Sequence, residues 1–264
     1  YLNVGFSGVF DGNGHTISGL RIESNSSAGL FGYVEGGTIK NLTLKDVNIN
    51  AGSNTGSIAA TFKRKIIPEG ESLINCSFSG NVKGADNVGG LIGYYSTIFK
   101  SNEDSRGDYV PVKYCNSNGK VEGNNNVGGL FGYFASGAFS ECYNKSNVYG
   151  LENVGGICGN FYNKRLACNG YGCGNPYYYT YYYYGNAKNS NSYNDGNISG
   201  ETSVGGIIGL SDNYNSSQYI LYTNCNNSGV INYLNNHGSI VGAINGSYNS
   251  FTNCYYLKDS ADTA

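Results

Sequence analysis

The sequence contains no methionine and no tryptophan, only three prolines and two histidines, and few charged residues. Charged side chains make up 13% of the 264 residues, and the 18 acidic ones nearly balance the 16 basic ones. Because proteins that bind a phosphate backbone usually carry a basic excess, we expect no nucleic-acid partner. No apolar run reaches about 18 residues, so we expect no segment that inserts into a membrane.

The motifs of common hydrolases are also missing from the sequence. It has no His-Glu-x-x-His pattern for a zinc peptidase and no Gly-x-Ser-x-Gly pattern for a serine hydrolase. The acidic residues Asp86, Glu122 and Glu152 occupy similar places in or near predicted turns, as solvated carboxylates do. We therefore predict a protein that is not an enzyme, with no catalytic residue, no metal site and no cofactor.

Glycine and tyrosine are abundant, with 41 and 26 residues, and much of the glycine lies in an internal repeat. The clearest copies are Cys76–Gly93, Cys115–Gly132, Cys142–Gly159 and Ser192–Gly209. Weaker copies begin at Thr16, Thr43, Cys225 and Cys254. Short β-branched runs between glycines predict short strands joined by sharp corners, and no helical spacing of apolar residues occurs.

Aligned copies place residues of one kind in each column. The first column is Thr16, Thr43, Cys76, Cys115, Cys142, Ser192, Cys225 and Cys254. The second, six residues later, is Ile22, Ile49, Val82, Val121, Val148, Ile198 and Ile231. A third is Leu30, Ile58, Leu91, Leu130, Ile157, Ile207 and Ile240. These columns predict an all-β fold, a parallel β-solenoid of about eight coils in which like residues stack as interior ladders.

The spacing between copies varies only in the arc that follows the third column. The longest additions give insertions at 95–113 and 160–191, so we expect both loops to leave the solenoid on one side. A decorated side is often the binding side of a solenoid, and the alternative is drift at a tolerant surface corner. We treat residues 1–264 as one domain and expect it to be part of a longer surface protein.

The block Gly-x-Val-x-Gly-x-x-x-Val-Gly-Gly-Leu-x-Gly resembles the GLUG-motif repeat of bacterial surface proteins. The lead-in Phe6–Leu20 and the ending Asn253–Leu257 resemble the segments that flank such repeats. The resemblance implies a right-handed parallel β-helix in a secreted or wall-anchored protein, hence an extracellular, cell-surface location. Such repeats occur in adhesins and in the non-catalytic part of secreted immunoglobulin-A-type peptidases. The copies at Thr43 and His237 depart from the motif.

The cysteines fall into two groups. Those of the first column are Cys76, Cys115, Cys142, Cys225 and Cys254, and they are predicted to pack as small buried hydrophobes. The other group, Cys168 and Cys173, lies in the second insertion, where the two thiols could form a disulfide in an oxidising exterior. A zinc knuckle is the weaker alternative because no histidine lies nearby.

Two motifs in the insertions are candidate ligand-binding residues. One is the tyrosine run Tyr177, Tyr178, Tyr179, Tyr181, Tyr182, Tyr183 and Tyr184, whose rings suit stacking on sugars or protein surfaces. The other is the tripeptide Arg106, Gly107 and Asp108, which matches an integrin-recognition motif. The alternative for the tyrosines is a lid folded over the solenoid. Outside the insertions, Tyr33, Tyr94 and Tyr133 predict an outer stacking ladder.

These observations predict a non-catalytic adhesion and display module that binds a glycan or a host surface protein through its insertions. Two other functions remain open. The first is a structural spacer or filament segment without its own ligand, able to associate end to end through open coils. The second is a glycan-cleaving β-helix enzyme, which would need two facing carboxylates.

Overall fold

The computed structural model describes residues 5–65, 72–99, 111–163, 166–167, 187–213 and 219–257. Within these ranges the regular structure is entirely β-strand, and the strands form three sheets. Each coil passes through the sheets in the same order, which we name sheet 1, sheet 2 and sheet 3. The described part of the chain contains no helix with the length and hydrophobicity needed to cross a bilayer.

The strands of each sheet have the following bounds. Sheet 1 comprises Val9–Asp11, Thr16–Ser18, Arg21–Glu23, Thr38–Asn50, Leu73–Lys83, Val112–Lys113, Asn116–Glu122, Ala138–Ser140, Tyr143–Asn144, Asn147–Tyr149, Ala187–Ser190, Tyr193–Asn194, Ile198–Ser199, Ile220–Thr223, Asn226–Asn227, Ile231–Asn232, Asn249–Thr252 and Tyr255–Tyr256. Sheet 2 comprises Thr55–Gly56, Val88–Gly89, Asn125–Gly128, Glu152–Gly155, Thr202–Gly205 and Asn235–Gly238. Sheet 3 comprises Phe31–Glu35, Ala59–Lys65, Ile92–Phe99, Phe131–Ala135, Cys158–Tyr162, Leu166–Ala167, Ile208–Asp212 and Val241–Asn245.

The sheets confirm a parallel β-helix. Val121 pairs in register with both Val82 and Val148, so like residues stack directly on like residues of the neighbouring coils. The described strands of sheet 1 lie on eight successive levels, in agreement with the predicted number of coils. The atypical copies keep the register, since Thr55 pairs with Val88 and His237 pairs with Val204.

Asparagine makes the corner that leads into sheet 2. Asn54, Asn87, Asn126 and Asn153 all adopt a left-handed backbone with φ between 54° and 57°. Asparagine tolerates this conformation better than most residues. The side chains of the last three also donate to the asparagine of the preceding coil, at 2.8 Å from Asn87 to Asn54, 2.9 Å from Asn126 to Asn87 and 3.0 Å from Asn153 to Asn126. The corner is therefore stabilised both within a coil and between coils.

Glycine makes the corner between sheets 2 and 3, because the backbones of successive coils approach too closely for a side chain. A Cβ atom on Gly156 would collide with the carbonyl oxygen of Gly206 and with the side chain of Asn194. The same close approach recurs at the second glycine of the other Val-Gly-Gly copies. The repeat therefore keeps two glycines where a larger residue has no room.

The interior holds apolar ladders and one polar ladder. The second-column residues from Ile49 to Ile231 are almost fully buried, and the rings of Tyr95 and Phe134 stack at 4.3 Å. Beside them runs the buried asparagine ladder, which comprises Asn144, Asn194 and Asn227. Their amides are linked by hydrogen bonds of 2.7 Å along the axis, so these buried polar groups are paired.

The first column differs from the prediction in the two N-terminal coils. Leu42, not Thr43, pairs with Cys76, while Thr43 pairs with Ser77 and with Thr16. The cause is a β-bulge between Leu44 and Val47, which inserts one residue and restores the register before the second column. The placement of Thr16 and Thr43 in the column of cysteines was therefore wrong, and Leu42 fills that interior position instead.

The predicted insertions are flanked by strands of the same two sheets. Four of the five undescribed internal stretches, at 66–71, 100–110, 168–186 and 214–218, each follow a strand of sheet 3 and precede a strand of sheet 1. The fifth, 164–165, lies between two strands of sheet 3. Regular strands extend into the margins of the predicted insertions 95–113 and 160–191. These strands are Ile92–Phe99, Val112–Lys113, Cys158–Tyr162 and Ala187–Ser190. Apart from the one-residue bulge between Leu44 and Val47, the predicted insertions fall, in chain order, between a strand of sheet 3 and a strand of sheet 1.

Candidate functional site: the edge that carries the insertions

The two long insertions begin side by side. The strand Leu166–Ala167 pairs with the end of Ile92–Phe99, and the Cα partners are Ile98 with Leu166 and Phe99 with Ala167. These strands belong to the coils of Cys142 and Cys76, which are separated by one intervening coil. After its own sheet 3 strand, the coil of Cys142 thus forms a second short strand, Leu166–Ala167, that pairs with the coil of Cys76. Residues 100–110 and 168–186 start from adjacent points of one sheet edge.

A short aromatic ladder lies on the outer face of sheet 3 beside this edge. The rings of Tyr94 and Tyr133 stack at 5.2 Å with an interplanar angle of 9°. Tyr162, on the next coil, packs against Tyr133 at 5.9 Å and 43°. Burial raises the pKa of Tyr94 and of Tyr133, so both phenols stay neutral and available for hydrogen bonding at pH 7.

The predicted ladder of Tyr33, Tyr94 and Tyr133 is present only in part. Thr61 pairs with both Tyr33 and Tyr94, so it separates the first tyrosine from the others. The ammonium group of Lys63 lies 5.4 Å from the centroid of the Tyr33 ring. The structure adds Tyr162, which does not occupy the repeated tyrosine position and which the repeat pattern gave no means of finding.

One carboxylate joins this aromatic surface. Asp212 pairs in register with Tyr162 and receives a hydrogen bond of 2.9 Å from the side chain of Asn245. Partial burial raises the pKa of Asp212, and the hydrogen bond from Asn245 opposes that shift. A single acidic group beside tyrosine rings suits hydrogen bonding to a polar ligand better than acid–base chemistry, which in glycosidases uses a carboxylate pair.

The candidate ligand-binding residues of the insertions lie outside the described residues. These are Tyr177, Tyr178, Tyr179, Tyr181, Tyr182, Tyr183, Tyr184, Arg106, Gly107 and Asp108. The candidate disulfide residues Cys168 and Cys173 also lie outside them. The structure places the strand ends from which these segments start, and those ends are adjacent.

The first-column cysteines form what we name the thiol column, Cys76, Cys115, Cys142, Cys225 and Cys254, with Ser192 at the same position of its coil. All five are free thiols. Each donates to the carbonyl two residues earlier, for example Cys142 to Ser140 at 3.3 Å, and Ser192 donates to Ser190 at 3.2 Å. Burial raises the pKa of Cys76 and Cys115, so these thiols are unreactive packing groups.

The described residues offer no ready metal site. Within them, no three side chains among histidine, cysteine, aspartate and glutamate come together as a ligand set. In the thiol column, Cys76, Cys115 and Cys142 are buried and donate to backbone carbonyls of their own strands. The arrangement of the edge is that of a contact surface, with stacked rings and one carboxylate.

No family model matches the chain. Halomucin of Haloquadratum walsbyi is 35% identical over 91 residues, which cover 33% of this chain and 1% of halomucin. The chain therefore spans a very small part of that relative. A crystal structure from Bacteroides ovatus, of a protein named as a candidate immunoglobulin A1 protease, matches with a TM-score of 0.55 and 19% identity. That match covers 92% of this chain and 68% of the other.

These comparisons support the fold and a limited sequence relationship. At 19% identity the Bacteroides ovatus structure shows a shared architecture only, and it agrees with the parallel β-helix described above. The similarity to halomucin is confined to a third of the chain. The fold is that of a parallel β-helix repeat protein, and the described strand ends Phe99 and Ala167 are adjacent on it.

Proposed function

We propose that this chain is a non-catalytic adhesion and display module of a cell-surface or extracellular protein. The β-helix is the rigid support, and the insertions 95–113 and 160–191 contact a glycan or a protein on another surface. The observation that carries this proposal is the pairing of Phe99 with Ala167, because it brings the starts of both insertions to one place. The similarity to halomucin supports the surface location.

The composition of the second insertion supports a contact role. Tyrosine offers an apolar ring and a hydroxyl group at a low cost in conformational entropy, which suits recognition of sugars and proteins. The ladder of Tyr94, Tyr133 and Tyr162 extends this aromatic character onto the described face of sheet 3. A ligand held by the insertions would therefore also lie close to a stacked aromatic surface.

Replacement of Tyr181, Tyr182, Tyr183 and Tyr184 by serine tests the proposal. Binding of the purified chain to a glycan array and to host cells should be lost, while the circular dichroism spectrum stays unchanged. The matched control is replacement of the exposed Tyr255 and Tyr256 in the last described coil, which should leave binding intact. Undiminished binding by the first variant would refute the proposal. Incubation of every bound glycan with the protein, followed by product analysis, tests the glycan-cleaving alternative.

A specific observation also favours the second candidate, a spacer or filament segment. The last described coil exposes apolar side chains, including Ile244, Phe251 and Tyr255, on a surface of parallel strands. The first coil differs, because Phe6 and Phe10 pack on Phe31 with ring distances of 5.0 and 5.4 Å. Association through that surface should make the sedimentation coefficient rise with concentration, and F251D should abolish the rise. A concentration-independent monomer would exclude filament formation by this surface.

A further inference from the structure

A second feature lies at a different corner, between sheets 1 and 2. Gly84, Gly123 and Gly150 occupy equivalent positions on three successive coils, as the hydrogen bonds Gly84 to Glu122 and Gly123 to Tyr149 show. A Cβ atom on any of them would press against the methyl groups of buried valines. The Cβ position of each glycine therefore faces the interior, and the outer side of these residues is bare backbone that forms the floor of an open depression of about 270 Å³. We name it the glycine groove.

Two columns of side chains form the walls of the glycine groove. Lys83, Glu122 and Tyr149 stand on one side, in register on neighbouring strands. Asn124 and Leu151 stand on the other side and are linked by a backbone hydrogen bond of 2.7 Å. Neighbouring coils are about 4.8 Å apart, so the groove extends about 10 Å over three coils. Its walls combine one ring, one aliphatic group and three polar groups.

Lys120 holds one wall of the groove in place. Its ammonium group lies 2.6 Å from a carboxylate oxygen of Glu122 and 5.1 Å from the centroid of the Tyr149 ring. The hydrogen bond with Glu122 raises the pKa of Lys120, so the lysine stays charged throughout the physiological range. Tyr149 remains 39% exposed and Leu151 47% exposed, so their apolar surfaces face solvent. The wall is organised before any ligand arrives.

We infer that the glycine groove binds one residue of a neutral saccharide. The ring of Tyr149 contacts the apolar face of the sugar, and Glu122, Asn124 and Lys83 hydrogen-bond to its hydroxyl groups. The depression lies just below the roughly 300–1,000 Å³ of clefts for larger ligands, which suits a single sugar ring. The groove is at a different corner from the insertions, so this inference does not rest on the function proposed above.

The groups present fit a neutral sugar better than an ion. Glu122 is the one carboxylate among the lining residues, whereas calcium takes six to eight oxygen ligands. The positive charge of Lys120 is already matched by Glu122, and Lys83 is the one cation among the lining residues, so they present no cationic cluster for an anion. A planar ring beside amide, carboxylate and ammonium groups offers both the apolar contact and the donors and acceptors that hydroxyl groups need.

Nuclear magnetic resonance of the ¹⁵N-labelled chain tests this inference directly. D-glucose, D-galactose, D-mannose and N-acetylglucosamine are added separately up to about 10 mM, a range in which millimolar affinity is measurable. At least one sugar should shift the amide signals of Gly123, Asn124, Gly150 and Leu151. Y149S should weaken that binding about tenfold, whereas Y149F, which keeps the ring, should bind within about threefold of the unchanged chain.

The control variant is Y255S, which removes an exposed tyrosine far along the axis and should not alter the affinity. N124A provides a second variant on the opposite wall and should also weaken binding. The inference is overturned if none of the four sugars shifts these amides, if the shifts lie elsewhere, or if Y149S with an intact spectrum binds as well as the unchanged chain. Loss of binding in the insertion variant has no bearing on this result.

Discussion

Phe99 and Ala167 are Cα partners on neighbouring parallel strands, although they belong to coils that are not consecutive in the chain. Each is followed by a long insertion, so the pairing determines where both insertions begin. A solenoid in which every coil simply followed the one before would separate these points by a full additional coil. The pairing across the intervening coil therefore brings together the described strand ends that precede two insertions of different composition.

This pairing predicts a short distance in solution. Spin labels attached to F99C and A167C should show strong dipolar broadening, because paired strands lie about 4.8 Å apart. A control pair, F99C with N232C, places the second label on sheet 1 several coils away and should show none. The chain without added cysteines supplies the background from native thiols. Spectra of the two pairs that cannot be told apart would contradict the strand exchange.

The buried asparagine ladder predicts a large stability loss on truncation. Asn194 donates to Asn227, accepts from Asn144 and also binds the backbone of Gly196. N194A leaves several buried polar groups unpaired, so the free energy of unfolding should fall by about 3 kcal/mol. The control N232A removes an exposed amide and should change it by less than about 0.5 kcal/mol. Equal midpoints in urea for the two variants would argue against the ladder.

Two glycine substitutions should differ strongly in their effect on stability. G156A places a methyl group against the carbonyl of Gly206, so the coils must separate and stability should fall by about 3 kcal/mol. At Gly32 a Cβ atom meets nothing within 4 Å, so G32A should be neutral or slightly stabilising, by up to about 1 kcal/mol. Thermal unfolding of both variants measures the difference. A G156A protein as stable as G32A would disprove the close approach.

The thiol column predicts selective reactivity at its last member. The hydrogen bond from Cys225 lowers the pKa of Cys254 to about 6, which outweighs the opposite effect of partial burial. The thiolate is the reactive form, so iodoacetamide at pH 7 should label Cys254 at least about tenfold faster than Cys76 or Cys142. The labelling rate should fall as the pH drops through about 6. Peptide mapping by mass spectrometry measures each site.

The matching variants separate the hydrogen bond from simple exposure. C225A removes the donor, so the pKa of Cys254 should rise towards its ordinary value and its labelling at pH 7 should slow. C142A removes a more distant member of the column and should leave the rate unchanged. An identical pH profile for Cys254 in both variants would show that exposure alone controls its reactivity.

The repeat made most of the fold predictable, and its exceptions show where prediction ends. Val82, Val121 and Val148 could be placed in one ladder from spacing alone, because each coil must bury the same positions. The bulge between Leu44 and Val47 could not be predicted in this way. It shifts the first column by only one residue and leaves the second column in register. Thr43 is as small as a cysteine, so residue type did not reveal that Leu42 points inward.

The candidate sites also divide into one that the sequence predicts and one that only the structure shows. The tyrosine run and the presence of the insertions are visible in the sequence as composition and length, which are local properties of the chain, whereas strands extend into the margins of both insertions. The glycine groove was not visible, because Lys83, Glu122 and Tyr149 are ordinary surface residues in three separate copies. Only stacking in register puts them on one wall, with Lys120 between the carboxylate and the ring.

The sequence by itself determined the coil, its interior columns and the corner at which extra residues are tolerated, because these follow from a periodic demand for burial and for left-handed corners. Only the tertiary structure showed that Phe99 pairs with Ala167 across an intervening coil. Only it showed which surface side chains line the glycine groove. Those contacts depend on the relative height and rotation of separate coils. A small shift such as one bulge alters these contacts without a visible change in the sequence repeat.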